Sequence, residues 1–507
     1  MGVAIIAMGY DSSLYEKLLY RKQYILLPYT IKGPEGWKTY GVHKDRFVLH
    51  THPELEMALA EDEKRRVVLL GYILDWQNPE SGNLDILRML LRENKDFDSF
   101  LEATYNLGGR FMLIYEDGEC CRLYMDAAGQ MEAFFYNGRK GLTCGAQLPI
   151  MNQYIGLEKN ADKGVQEFYM SEDFIKSNMQ WVGEDTIYSD VKEIRANFYL
   201  DIAEGKTVRY WPKEPLKKRS LGAASEMACW MLKGFMDAIS RRSKLVMPVT
   251  AGWDSRLLLS ASKNIRDRVT YYIIRAPWMD DDHVDIRVPR RLFEELGIPF
   301  KVINAGEEVD ADFARAFRDS TAYPIESNLP GIYNVFYKQF PGMVNISSHV
   351  SETIRNYRGS IVSPSGKQFS THIGYDGNNE YAARMCDVWL KKNSELAKEM
   401  NIDLLSLFYW EEGIRWDASH RTQADIAIEE YSPFSCRNLL TMMLSVNDSY
   451  RNRYNCTLYR RMIEIMWPEV LYEPINPSFK NNVKGFLVSM DKFYVANRFI
   501  KRLETKK

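Results

Sequence analysis

Residues 244–262 read KLVMPVTAGWDSRLLLSAS, and the side chains suited to phosphate chemistry crowd into the middle of that stretch. An apolar run leads into Thr250-Ala251-Gly252-Trp253-Asp254-Ser255, and a leucine-rich run follows at once. Small residues and Gly252 let backbone N–H groups approach an anion closely, and the start of a helix adds positive potential. Asp254 would repel a phosphate, so its expected role is to hold a Mg²⁺ that bridges phosphate oxygens. The Ser255 hydroxyl can bond the same phosphate. No GK[ST] follows, so this is not a Walker loop. A strand–turn–helix capped by Asp or Ser is the plainer reading of the same residues.

Such a corner needs a strand before it and a helix after it, and the flanking sequence supplies both. From about Leu221 the pattern runs helix (AASEMACWMLKGFMDAIS), strand (LVMPVT), helix (RLLLSASKN), strand (VTYYIIRA), helix (DIRVPRRLFEELG) and strand (PFKVINA). Alternation of this kind predicts a parallel α/β sheet with right-handed crossovers, which binds ligands beyond the carboxyl ends of its strands. The first 200 or so residues are strand-rich instead. RFMLIYED and CCRLYMD form a hairpin around Asp117-Gly118, and ANFYLDIAEGKTVRYW forms another around Glu204-Gly205. NLDILRMLLRENKDFDSFLEATYNLGG is helical by its apolar spacing. YWPKEPLKKRS, with two prolines and a basic cluster, suits a linker. Residues beyond about 310 read as helical and rich in Tyr, Trp and Met. The expected domains are 1–209, a linker over 210–220, and 221–507.

The totals narrow the class. At 507 residues there is room for two or three cores. With 66 Lys plus Arg against 68 Asp plus Glu, a protein built to coat nucleic acid is not expected. The seven cysteines form no CxxC pair, which reads as reduced packing thiols. No stretch approaches the ~20 apolar residues of a membrane span, and the start has no basic segment of a secretion signal. A soluble, cytoplasmic protein is expected. His50 and His52 lack a third zinc ligand. Asp280-Asp281-Asp282-His283 reads as a solvated acidic loop, and DLLSLFYWEEGIRWD as mostly helical core.

Residues 250–255 resemble the SGGxDS pyrophosphate loop of the ATP pyrophosphatase (PP-loop) superfamily. Further motifs resemble one branch of it, asparagine synthetase. Gly109-Arg110-Phe111, Asp126, Gly129 and Phe135-Tyr136 match the motifs of that family's N-terminal glutaminase domain. Asp285 matches an Asp-x-x-x-Ala helix, and Glu429, Pro433 and Phe434 match EARVPFLD. Lys480 or Lys484 in NPSFKNNVKGF matches a catalytic lysine. The resemblance touches residues from about 65 to 490. It implies an α/β protein in two parts. The first is a degenerate Ntn-glutaminase-like α+β sandwich. The second is a PP-loop parallel-sheet domain (adenine nucleotide alpha hydrolase-like) with a helical C-terminal part.

Three departures qualify it. The family begins Met-Cys and uses that Cys to hydrolyse glutamine, whereas this chain begins Met1-Gly2. The N-terminal domain is therefore expected to lack that reaction, as in beta-lactam synthetases and lasso-peptide cyclases. The loop NISSHVSETIRNY keeps Glu352 but places Ser348 and Ser351 where the family has a Glu and a metal-binding Asp. His349 in this loop reads as a hydrogen-bonded loop residue. Arg256 replaces a small hydroxyl residue, and either faces the site to hold an anion or is a solvated first-turn residue.

The resemblance implies an ATP-dependent amide-forming ligase. ATP would lie over Thr250, Ala251, Gly252, Trp253, Asp254 and Ser255, with Mg²⁺ on Asp254 and Glu352. A substrate carboxylate would become an acyl-adenylate, and ammonia or an amine would displace AMP. Lys480 (or Lys484) would neutralise developing charge, and Glu352 would hold metal or accept the amine proton. The carboxylate could be a small molecule, a sugar acid or a peptide side chain. An ammonia-supplying partner and a homodimer fit the reading; a membrane does not. Two alternatives stand beside it: a non-catalytic scaffold or binding subunit, and a PP-loop enzyme that modifies nucleic acid.

Overall fold

The computed structural model describes residues 5–6, 12–139, 141–355, 364–375 and 379–477. The strand-rich first part forms two six-stranded antiparallel sheets packed face to face. Alternation with period two builds this sandwich. Along one strand Met112 and Ile114 point into the inter-sheet core with Leu26, Leu49 and Leu123, while Phe111, Leu113 and Tyr115 point outward. The outward face is covered by helices Asn83–Glu93 and Phe97–Ala103, and the other sheet by helix Leu148–Ile155. Apolar spacing alone predicts one continuous helix over the first pair. Asp96 breaks it by capping the second helix through Ser99 N–H.

The second part holds a five-stranded sheet whose strands all run parallel. We number them β1 (Leu245–Pro248), β2 (Val269–Arg275), β3 (Phe300–Asn304), β4 (Val344–Ile346) and β5 (Glu429–Tyr431). Their order across the sheet is β3-β2-β1-β4-β5. Leu245, Val246 and Met247 of the central strand are fully buried, as a parallel strand covered on both faces must be. Three helices alternate with the first three strands: α1 (Leu221–Arg242), α2 (Trp253–Ala261) and α3 (Val284–Leu296). Strands β4 and β5 lie in the region that reads as helical. At three residues each they are too short to show an alternation.

The start of the chain joins the second part. Ile5–Ile6 pairs in parallel with Val309–Asp310, and Leu14 and Leu18 pack with Phe313 and Phe317. Residues 211–220 are strapped to the helical region, with Leu216 N–H on the Met400 carbonyl and Arg219 N–H on that of Ser445. Trp410 is fully buried in the aromatic core and donates to the Ala127 carbonyl.

A polar seam joins sandwich and sheet. Arg110 forms a bidentate pair with Asp425 at 2.5 and 2.6 Å. Asp126 accepts from three backbone N–H groups, those of Phe111, Ala128 and Gln130, and from the Ser435 hydroxyl. Gln130 Oε1 accepts from Ser432 N–H at 2.8 Å. Gly109 is required here: its φ is +126°, and a Cβ would lie 2.2 Å from the Tyr72 carbonyl oxygen. The side chain of Glu132 is also buried at the seam, where Gln147 and Thr422 donate to it and Arg415 pairs with nearby Glu193. Burial first, and then the Glu193 charge, push the Glu132 carboxyl up to about 8.

Two outcomes follow from this seam. Asp425→Asn leaves the Arg110 guanidinium buried without its counter-charge and should cost about 3–5 kcal/mol, measured as a fall in denaturation midpoint. A raised acid stabilises the fold while it stays protonated, so Glu132 should withdraw stability as pH rises from 4.5 to about 8. Thermal melts across that window should show the decline, and Glu132→Gln should make it shallower, the rest belonging to other buried acids that burial also raises, Glu193 among them.

Candidate functional site

In the sheet order β3-β2-β1-β4-β5 the chain turns outward from β1 in both directions, which makes the carboxyl ends of β1 and β4 the switch point where an open parallel sheet favours a ligand crevice. Residues 250–255 leave β1 at that point, and residues 347–355 leave β4 beside it. The sheet order therefore brings together two segments about a hundred residues apart in sequence.

The first segment is held tightly. Ala251 N–H donates to Asp285 Oδ1 of α3 at 3.0 Å, and the Ala251 carbonyl accepts from Asn476 N–H at 2.8 Å. Thr250 N–H donates to Ser255 Oγ at 3.1 Å, and Gly252 N–H to Thr250 Oγ1 at 3.1 Å. Gly252 caps α2 with an extended backbone and no side-chain hydrogen bond, so no side chain covers the start of the helix from that position. Its φ of −79° does not require glycine, and a Cβ there would lie 3.3 Å from Thr250 Oγ1. Trp253 is buried and donates Nε1–H to the Tyr454 carbonyl.

Asp254 points across the crevice into the second segment. Ser351 Oγ donates to its Oδ1 at 2.6 Å, and Arg355 Nη2 donates to its Oδ2. Glu352, the neighbouring candidate, accepts from the Tyr409 hydroxyl at 2.8 Å. The segment is fixed from behind, since Tyr459 donates to the Ser351 carbonyl and Arg451 to the Ile354 carbonyl. His349, expected in a loop, instead opens a 3-10 turn, His349–Thr353, and its N–H faces Ser347 Oγ at 3.4 Å.

The structure thus brings Thr250 to Ser255 and Glu352 to one crevice. The expected Mg²⁺ on Asp254 and Glu352 does not fit the donors as they stand. Both Asp254 oxygens already accept from donors on the second segment, one of them a cation. Glu352 is turned to Tyr409, and no three His, Cys, Asp or Glu side chains gather for a metal among the described residues. Lys480 and Lys484 lie outside the described residues. Arg256 is neither site-facing nor solvated. It is fully buried and donates to the carbonyls of Val470 and Glu473, so it anchors α2 to the segment behind it. His283 caps α3, and Asp281 is paired with Arg275 and Arg290, so the acidic loop is ion-paired. Sequence reasoning missed Ser351 as a donor and missed Arg355 altogether.

All seven cysteines are free thiols, and none is activated. Burial pushes Cys120, Cys144, Cys229, Cys436 and Cys456 up to about 12, and Cys121 and Cys386 upward as well.

No family model matches the chain, and no curated protein does. Among solved structures it is similar to the allosteric regulatory enzyme of purine biosynthesis, at 10% identity over 56% of this chain and 66% of that one, with a TM-score of 0.23. It is also similar to glutamine phosphoribosylpyrophosphate amidotransferase from B. subtilis complexed with ADP and GMP. There the identity is 8% over 71% of this chain and 73% of that one, and the TM-score is 0.22. The chain spans just under two thirds of the first of these. No helix among the described residues is long and apolar enough to cross a membrane.

The crevice yields a thermodynamic cycle. Asp254→Asn strands the mostly buried Arg355 and should destabilise the fold by about 3 kcal/mol. Asp254→Asn combined with Arg355→Met should recover part of that loss in urea denaturation. Additive losses in the double variant would show that the two side chains are not coupled.

Proposed function

We propose that the chain is an ATP-dependent amide-forming ligase of the asparagine synthetase kind that does not use glutamine. The observation that carries this reading is the placement of residues 250–255. They form a small-residue corner at the carboxyl end of the central parallel strand, at the start of α2 and at the mouth of the β1–β4 crevice. Backbone N–H groups at a helix start favour a polyphosphate, and a parallel sheet of this order favours a ligand at that edge. In the proposed reaction a substrate carboxylate oxygen attacks the α-phosphorus of ATP and pyrophosphate leaves. An amine then attacks the acyl carbon, losing its proton, and AMP leaves.

This chain's part in the proposal is to bind and orient. Thr250, Ala251, Gly252, Trp253 and Ser255 hold the polyphosphate, and Lys480, with Lys484 as the second choice, steadies charge on the reacting centre. Glu352, next to Ser351 in the chain and accepting from the Tyr409 hydroxyl, would take a proton from the amine.

A second reading, a non-catalytic binding subunit, is favoured by one observation. The N–H groups of Thr250, Ala251 and Gly252 are already bonded within the protein. Release of AMP and pyrophosphate from ATP separates the readings, assayed with a panel of carboxylates (aspartate, uronic acids, acidic peptides) and ammonium. Release dependent on carboxylate and amine, reduced about a hundredfold by Lys480→Ala or Lys484→Ala, is expected. No release with any acceptor, despite measurable ATP binding, would favour the binding subunit. Glutamine alone should yield neither product nor glutamate, because burial raises every cysteine thiol away from the thiolate that such an attack needs.

A further inference from the structure

We infer that Arg355 is the resident cation of the β1–β4 crevice, and that Asp254 serves to hold this guanidinium in place of a divalent metal. The inference rests on the crevice being a polyphosphate site, and it assigns that site's positive charge.

Both oxygens of the Asp254 carboxylate are engaged. Oδ1 accepts from Ser351 Oγ at 2.6 Å, and Oδ2 accepts from Arg355 Nη2. The paired side chains of Arg355 and Asp254 are only 6% and 15% exposed, so water screens the pair little. A Mg²⁺ would need oxygen ligands at about 2.0–2.1 Å in octahedral array. At Oδ2 it would have to displace a guanidinium, and at Oδ1 a hydroxyl that donates instead of coordinating. A dication beside the remaining guanidinium would meet repulsion, with Asp254 shared between the two cations and Glu352 turned to the Tyr409 hydroxyl.

Arg355 is not placed to swing away at little cost. Arg451 Nη1 donates to the carbonyl of Ile354 at 2.6 Å, and Arg451 is itself buried. Tyr459 donates to the carbonyl of Ser351 at 2.7 Å, one turn earlier. These contacts fix the backbone on which Arg355 stands. A guanidinium is planar, permanently charged and shaped to bond carboxylate and phosphate oxygens together. It can therefore form the bridge between Asp254 and a phosphate that a metal would otherwise form. Asp254 is a positioning residue in this arrangement, and Arg355 is the group that meets the anion.

Inorganic pyrophosphate is the probe, titrated calorimetrically into the full chain in EDTA and again in excess Mg²⁺. Wild-type protein should bind it in EDTA with an affinity within about threefold of that in Mg²⁺, after allowance for the magnesium complex in solution. Arg355→Met should weaken binding in EDTA by about tenfold or more, the loss of a charge-assisted hydrogen bond, and Asp254→Asn should weaken it less. If Arg355→Met does not fold by circular dichroism, Arg355→Lys replaces it, keeping charge without the planar fork. That variant should bind more weakly than wild type, and an unchanged affinity in either variant overturns the inference. Binding that requires Mg²⁺ and disappears in Asp254→Asn also overturns it, while leaving the polyphosphate site standing. Failure of folded wild-type protein to bind pyrophosphate in both media overturns the site and the inference together.

Discussion

The contact between Asp254 and the pair Ser351 and Arg355 closes a place where the parallel sheet cannot cover itself. Strand β1 has β2 on one side and β4 on the other, and the chain leaves for β3 before it returns to β4. The helices that cover the two faces therefore diverge at the carboxyl end of β1, and a crevice is forced by topology. Any charged side chain at its mouth is partly dehydrated and needs a counter-charge from the opposite wall. Asp254 comes from one wall and Arg355 from the other. Their pairing ties the two loops into one surface, and Asp285 and Asn476 secure Ala251 from either side.

The sandwich reaches the same surface from behind. Gly109, Arg110 and Asp126 look like the marks of an independent domain, yet their main contacts cross the seam or shape the backbone that does. Arg110 meets Asp425 just ahead of β5, and Asp126 and Gln130 meet Ser435 and Ser432 just after it. Strand β5 is three residues long and would not hold its place by backbone pairing alone. The buried polar contacts on both sides pin it, and β5 in turn supports β4 and the loop that carries Arg355. Groups so far from water are stable only as a complete set, because one missing partner leaves a desolvated charge.

The corner and strands β1 to β3 are legible because each strand is an apolar run closed by turn residues, and runs of that kind survive in a single sequence. Strands β4 and β5 are not, since three residues carry no period and their pairing partners are distant. The glutaminase-like motifs are legible as residues but not in their role, which needs the other half of the seam to be in view. Arg256 misleads because its place two residues after Asp254 suggests the same surface. A helix turns about 100° per residue, so two positions on it faces away from the crevice and into the 470–473 carbonyls. Arg355 carries no signal at all. A search for metal ligands passes over a cation, and its partner lies 101 positions back along the chain.

That blind spot bears on how the loop departs from the family it resembles. Ser348 and Ser351 stand where the resemblance puts acids, and read one at a time these look like damage to a metal site. Arg355 changes that reading at Ser351, because the charge beside Asp254 depends on both positions together. A dication is held by the number of carboxylates around it, and the affinity falls as they are lost. With Ser351 where an acid is expected and Glu352 turned to Tyr409, Asp254 would be a poor ligand by itself and a costly charge to leave at a half-dry helix start. A guanidinium needs only one carboxylate, and a serine hydroxyl can then satisfy the second oxygen, as Ser351 does. Ser351 and Arg355 therefore act on Asp254 as one unit. An acid in place of Ser351 would face the Asp254 carboxylate, and loss of Arg355 would take away the cation that pairs with it.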